Sequence, residues 1–231
     1  MMFDLPRRLF AEALGTALLV CAIVGSGIMS AALTEDAAVA LLANSMVTGA
    51  MLVLLITVLG PISGGHINPA LTLAFALRGE LPALDAAAYA LAQVCGGVLG
   101  AMAANMMFGI ATVDVSHSVR SGAALWLSET LSTFLLIGVI LLALRFRAPL
   151  VPALVGLYIA SAIWFTSSSS YANPAAAIGR SLSDAYIGIR PADLPAFIAA
   201  QLLGSALAVA VFGWLLRPST TPETGNTARW G

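Results

Sequence analysis

Two stretches decide the fold: PISGGHINPALTLAFALR at residues 61–78 and SSSSYANPAAAIGRSL at residues 167–182. Each opens with small, polar or turn-forming residues and then gives a short apolar helix. Such a helix is too short for a hydrocarbon core of about 30 Å, and the segment is too apolar for an ordinary loop. The reading that fits is re-entry: irregular backbone goes in and a half-helix comes back. Irregular backbone at membrane depth persists only where protein buries it or a water-filled cavity solvates it. Two such segments therefore predict a pore or a binding site.

The flanking sequence supplies the membrane. Long apolar stretches at about 7–30, 37–59, 83–108, 121–144, 149–167 and 193–217 predict six spanning helices. The 231 residues are 60 % hydrophobic and 9 % charged, with a mean hydropathy of +0.96, which excludes a soluble domain. The first apolar stretch is too long for a signal-peptide core and is read as part of the fold. Net charge is −1 and no lysine occurs, so nothing points to nucleic acid. Cys21 and Cys95 lie inside apolar stretches and read as small buried hydrophobes, with no disulfide framework, metal site or cofactor implied.

Arginines orient the chain. With both termini on one side, that side holds Arg7, Arg8, Arg78, Arg145, Arg147, Arg217 and Arg229. The other side holds Arg120, Arg180 and Arg190 with the acidic residues Glu35, Asp36, Asp114, Asp184 and Asp193. The positive-inside rule then predicts cytoplasmic termini. Residues 1–217 read as one channel domain and 218–231, polar and turn-rich, as a disordered tail.

The domain repeats internally, at about 7–108 and 121–217. Glu12 in AEALGTALL is matched by Glu129 in SETLSTFLL, and Asn-Pro-Ala recurs at 68–70 and 173–175. Gln93 and Gln201 each follow an alanine and precede a glycine by three residues. Each half has three spans, an odd number, so the second lies inverted relative to the first. Sites in such repeats form near the midplane, where the discontinuous helices meet.

Asn-Pro is good helix-start chemistry: asparagine caps the exposed N–H groups, and proline at the first position has none to strand. One copy would be only a cap. Two copies, each after a glycine- or serine-rich re-entrant stretch at equivalent places, point to function.

These residues resemble the aquaporin and aquaglyceroporin family, the major intrinsic proteins. The resemblance covers about residues 7–217 and is carried by Gly64-Gly65-His66-Ile67-Asn68-Pro69-Ala70-Leu71-Thr72, Tyr171-Ala172-Asn173-Pro174-Ala175, and the paired Glu12/Glu129 and Gln93/Gln201. It implies an all-α right-handed bundle of six transmembrane helices and two half-helices, with a pore through each subunit of a homotetramer. It places the pore centre at Asn68, Pro69, Ala70, Asn173, Pro174 and Ala175, where the asparagine amides donate to permeating molecules and facing helix ends repel cations. The carbonyls of Gly64, Gly65, His66, Ser169, Ser170 and Tyr171 would form a polar ladder, with Leu71 on the apolar wall. Glu12 and Glu129 read as acceptors for stranded loop N–H groups, ahead of the alternative that they couple proton movement in a secondary transporter.

Counted from the asparagines, the family's constriction falls at Thr48, Ser161, Ser170 and Ala176. Water-selective members carry an aromatic, a histidine, a small residue and an arginine there; glycerol facilitators keep the arginine. Here alanine stands in its place, which predicts a wide, uncharged constriction for water, polyols and bulkier neutral solutes. Trp164-Phe165-Thr166-Ser167 and Ile189-Arg190-Pro191-Ala192-Asp193 resemble the bacterial aquaglyceroporins associated with arsenic resistance, which implies neutral arsenite and methylated arsenicals as cargo. Arg180, four residues after Ala176 and about 6 Å further along the same face, has two fates open. It leans into the outer vestibule, or it snorkels or pairs with Asp184. An enzyme is not expected: no catalytic triad, metal cluster or carboxylate pair occurs at one depth, and His66 and His117 fall on opposite sides.

Overall fold

The structure is a computed structural model in which residues 2–218 are described. The helices are α1 (Leu5–Leu33), α2 (Ala37–Ser63), α3 (Pro69–Leu77), α4 (Ala83–Met107), α5 (Ala123–Phe146), α6 (Val151–Phe165), α7 (Pro174–Arg180) and α8 (Leu194–Leu215). Single 3-10 turns, Ala148–Leu150 and Pro191–Asp193, lead into α6 and α8. Among the described residues, six helices are long and apolar enough to cross a membrane, and α3 and α7 are the two half-helices.

Side-chain caps start four of them. Asp4 accepts the N–H of Arg7 before α1, and Asp36 accepts those of Ala38 and Val39 before α2. Asn68 and Asn173 cap α3 and α7, each followed by proline in the first turn. One boundary differs from the sequence expectation. The second span was expected to end at 59, with re-entry from 61, yet α2 runs through Pro61 to Ser63. A proline near a helix's last turn removes one ladder bond without forcing the chain out. Gly64, at φ 94°, ends the helix by returning its N–H to the Gly60 carbonyl.

The helices pair in the same way in each half. α1 packs on α4 and α5 on α8, while α2 meets α6 across the two halves. Lipid offers helices no hydrophobic reason to associate, so close backbone approach through small residues carries the packing. A β-carbon on Gly96 or Gly100 would overlap the carbonyls of Ala13 or Ala17 in α1, and one on Gly204 that of Thr130 in α5. Gly96 and Gly204 hold the same place after Gln93 and Gln201. The outward faces carry exposed leucines such as Leu91, Leu99, Leu131, Leu157 and Leu203, as a lipid-facing surface requires.

The cysteine expectation needs one correction. Cys21 is half-buried, but Cys95 is exposed on the outer face of α4. A thiol inside an apolar stretch is buried by protein only if its helix face turns inward. Of the expected disordered tail, 219–231 lie outside the described residues.

Candidate functional site

The two loops that precede the half-helices are suspended from two buried carboxylates. Glu12 Oε1 accepts from the Ser63 hydroxyl at 2.6 Å and the His66 N–H at 3.0 Å; Oε2 accepts from the Ile67 N–H at 2.6 Å and Gln93 Nε2 at 2.7 Å. Glu129 Oε1 accepts the N–H of Tyr171 at 2.9 Å; Oε2 accepts that of Ala172 at 2.9 Å and Gln201 Nε2 at 2.7 Å. Both carboxylates are fully buried. Of the four donors around one and the three around the other, two in each case are backbone N–H groups that would otherwise be stranded.

The loop backbone is left-handed at matching positions. Gly64 (φ 94°), Gly65 (φ 61°) and Ile67 (φ 51°) correspond to Ser169 (φ 59°), Ser170 (φ 44°) and Ala172 (φ 44°). Glycine adopts this region freely, whereas serine, alanine and above all isoleucine do not. Gly64, Gly65, His66, Ser169, Ser170 and Tyr171 all line one continuous cavity. Among the described residues their six carbonyls accept no hydrogen bond from protein.

Asn68 and Asn173 line the same cavity, while Pro69, Ala70, Pro174 and Ala175 lie behind them in the first turns. Each asparagine uses its Oδ1 as a cap and one amide hydrogen across the repeat. Asn68 Nδ2 donates to the Ala172 carbonyl and Asn173 Nδ2 to the Ile67 carbonyl, both at 2.8 Å. A primary amide has two hydrogens, so one on each is left without a protein acceptor among the described residues. Leu71, from the third position of α3, lies on the wall. His66 is buried, its Nδ1 3.1 Å from the Thr72 hydroxyl and its ring 4.6 Å from that of Phe75.

Of the four expected constriction residues, Thr48, Ser170 and Ala176 line the cavity. Ser161 does not. It is exposed on the outside of α6, its hydroxyl turned back to the Leu157 carbonyl at 2.8 Å. The inward stripe of α6 is Val155, Ile159 and Ile163, at the four-residue spacing of one helix face. Ser161 stands about 200° round from Ile163 at 100° per residue. The wall here is aliphatic where a hydroxyl was expected.

Arg180 is buried and lines the cavity. Its guanidinium carbon sits 3.4 Å from the Tyr171 ring centroid and its Nε donates to the Ile187 carbonyl at 2.7 Å. It does not pair with Asp184. That carboxylate accepts the His117 N–H at 2.8 Å and lies 3.1 Å from its Nδ1 on the exposed surface.

A second arginine was not foreseen. Arg120, in the polar connection between the halves, reaches the same cavity. Its guanidinium donates to the carbonyls of Gly188, Tyr186 and Ser168 at 2.7, 3.1 and 3.4 Å, and lies 5.2 Å from the Tyr171 ring centroid. Nothing in local spacing relates residue 120 to 171. The connection is brought there by backbone pairing with the strand of chain after α7: Asp114 to Leu182, Ser116 to Ser181 and Arg190 to Ser118.

This arrangement has known counterparts. The sequence profile of the major intrinsic proteins matches residues 2–182. The chain belongs to that family. It is 54 % identical to aquaglyceroporin AqpS of Rhizobium meliloti, over 96 % of this chain and 98 % of that protein. It is 29 % identical to aquaporin Z of Bradyrhizobium diazoefficiens, over the same shares. The aquaglyceroporin of Plasmodium falciparum, known from X-ray work, superimposes with a TM-score of 0.72 at 19 % identity over 92 % of this chain and 95 % of that one, which shows a common fold. This major intrinsic protein is thus a multi-pass membrane channel of the aquaglyceroporin type, with the inverted repeat its sequence implied.

Proposed function

We propose that the cavity is a passive pore for small uncharged solutes: water, glycerol-like polyols and neutral metalloid acids such as arsenite or methylated arsenicals. One observation carries the reading. A single cavity is lined by both asparagine amides, six unengaged carbonyls and an aliphatic wall, with Ala176 where a constriction arginine is expected. Carbonyls and amide hydrogens replace the water that a solute sheds, and the apolar wall keeps competing hydrogen bonds out of reach. We place the constriction at Thr48, Ser170, Ala176 and Ile163, the last replacing Ser161. The similarity to the Rhizobium meliloti aquaglyceroporin supports transport of solutes larger than water.

In this reading the termini face the cytoplasm in a bacterial inner membrane, four copies assemble, and residues 1–217 act as one channel domain. The alternative of a coupled transporter using Glu12 and Glu129 is weakened by their surroundings. Every oxygen of both is already accepting, which leaves neither free to relay a proton to a solute.

Stopped-flow light scattering on proteoliposomes tests the function with water, glycerol, urea, arsenite and a methylated arsenical. A channel gives fast, non-saturating flux with a low activation energy. Saturation together with dependence on a proton gradient would overturn it.

A further inference from the structure

The cavity's mouth on the face opposite the N-terminus holds two cations that pore centre and constriction leave unexplained. Arg120 and Arg180 come from segments 60 positions apart and converge on one ring, that of Tyr171. We propose that this pair is a docking site for small oxyanions, such as phosphate or a carboxylate, placed over the pore entrance. The proposal rests on the cavity being the pore.

Three observations carry it. First, among the described residues neither guanidinium has a carboxylate in ion-pair range, whereas Arg7, Arg8, Arg78 and Arg190 each pair with one at 3.7 Å or less; Arg145 and Arg147, which also lack one, are exposed rather than set in the cavity. The nearby Asp193 is otherwise engaged: Oδ1 accepts Arg190 Nη2 and Oδ2 accepts the backbone N–H of Arg120, both at 2.8 Å. It is a positioning residue for Arg120, its charge matched by Arg190. Second, among the described residues only Nε of the Arg180 guanidinium nitrogens has a protein acceptor, so both terminal amino groups are left to the cavity it lines. Third, the Ser170 hydroxyl, on a residue 4 % exposed beside Tyr171, is buried in the cavity wall with no hydrogen-bond partner among the described residues. A buried hydroxyl is seldom left so unless something else binds it.

The chemistry selects the ligand class. Guanidinium forks match carboxylate and phosphate oxygens in pairs of charge-assisted hydrogen bonds. Carbonyls of Gly188, Tyr186, Ser168 and Ile187 hold the two groups in place but carry only partial charge. Two full positive charges in a narrow, partly apolar mouth repel cations and concentrate anions. A docked oxyanion would occupy the route of a neutral solute and slow it. The pair thus returns, one turn further out and twofold, the fixed charge absent at Ala176.

The test uses the full-length protein in proteoliposomes, with glycerol flux followed while phosphate replaces chloride on both sides at constant ionic strength. Wild type should show saturable inhibition, shifted at least tenfold to higher phosphate in Arg180→Gln and in Arg120→Gln. Arg120→Lys, which keeps the charge but loses the fork, should fall between. Phosphate should also raise the Tm of detergent-purified wild type but not of Arg180→Gln, a readout independent of conduction. Absence of inhibition in a conducting wild type, or equal phosphate response in Arg180→Gln, would overturn the site. If no solute passes through wild type, the channel reading fails, and the Tm response alone decides the phosphate site.

Discussion

The side-chain amide of Asn68 is hydrogen-bonded at 2.8 Å to the backbone carbonyl of Ala172, the residue before the second asparagine. Asn173 returns the same bond to Ile67. The asparagines therefore do two jobs: one hydrogen of each ties the halves together, the other faces the cavity. Asn68→Leu removes both. It should abolish solute flux and leave the Ala172 carbonyl unsatisfied, at about 1–3 kcal/mol. Thermal unfolding in detergent and stopped-flow flux, measured on the same preparation, check this.

Glu12→Gln distinguishes loop support from proton coupling. One amide oxygen replaces two carboxylate oxygens, and an NH2 is turned toward donors from Ser63, His66, Ile67 and Gln93. One or two stranded donors at about 1–3 kcal/mol each predict a loss of about 1–6 kcal/mol. A coupling residue would instead give a stably folded protein with altered proton dependence. The unfolding curve decides between them.

On α6 the inward residue is Ile163 and the outward one Ser161. Ser161→Val should leave the ratio of glycerol to water permeability as in wild type. Ile163→Ser should change it, because a hydroxyl enters an aliphatic wall. Ala176→Arg, which puts a cation among close-packed groups, should narrow passage toward glycerol-sized or smaller solutes. Flux panels on the three variants check the placement of the constriction. Identical panels for wild type and Ala176→Arg would refute it.

Ser169 and Ser170 hold φ values of 59° and 44°, where the first repeat has Gly64 and Gly65. Left-handed backbone costs a non-glycine residue about 1–2 kcal/mol. Ser169→Gly should relieve part of that and raise Tm, whereas Gly65→Ser should lower it.

Asp184 lies below its ordinary carboxylate value because the His117 N–H and then its imidazole bond to the charged form. A carboxyl held down in the folded state contributes stability fully present above its unfolded value of 3.8. That contribution is lost as pH falls through the lower folded value. Asp184→Asn should therefore lower Tm near neutrality, flatten the acid side of the Tm-versus-pH curve, and converge with wild type at low pH. An unchanged acid limb would show that the pair does not form in solution.

Much of this was legible in residue order, for physical reasons. Six long apolar stretches must be spanning helices, because backbone polar groups in lipid have no other partner. Two Asn-Pro-Ala motifs after turn-rich segments mark half-helix starts, and paired Glu12 and Glu129 at matching positions mark their supports. These features need only composition, spacing and the inverted repeat. Three others do not follow from spacing. Which face of α6 turns inward depends on how its helix axis docks on α2, so Ile163 and not Ser161 lines the cavity. How far α2 continues past Pro61 depends on the cap at Gly64. That Arg120 reaches the Tyr171 ring depends on a connection pairing with chain some 70 residues later, as in Asp114 with Leu182. The sequence by itself determined the fold, its symmetry and the pair of asparagines at its centre. Only the tertiary structure decided which side chains surround the opening, because rotation about a helix axis and the path of a loop are set by long-range packing.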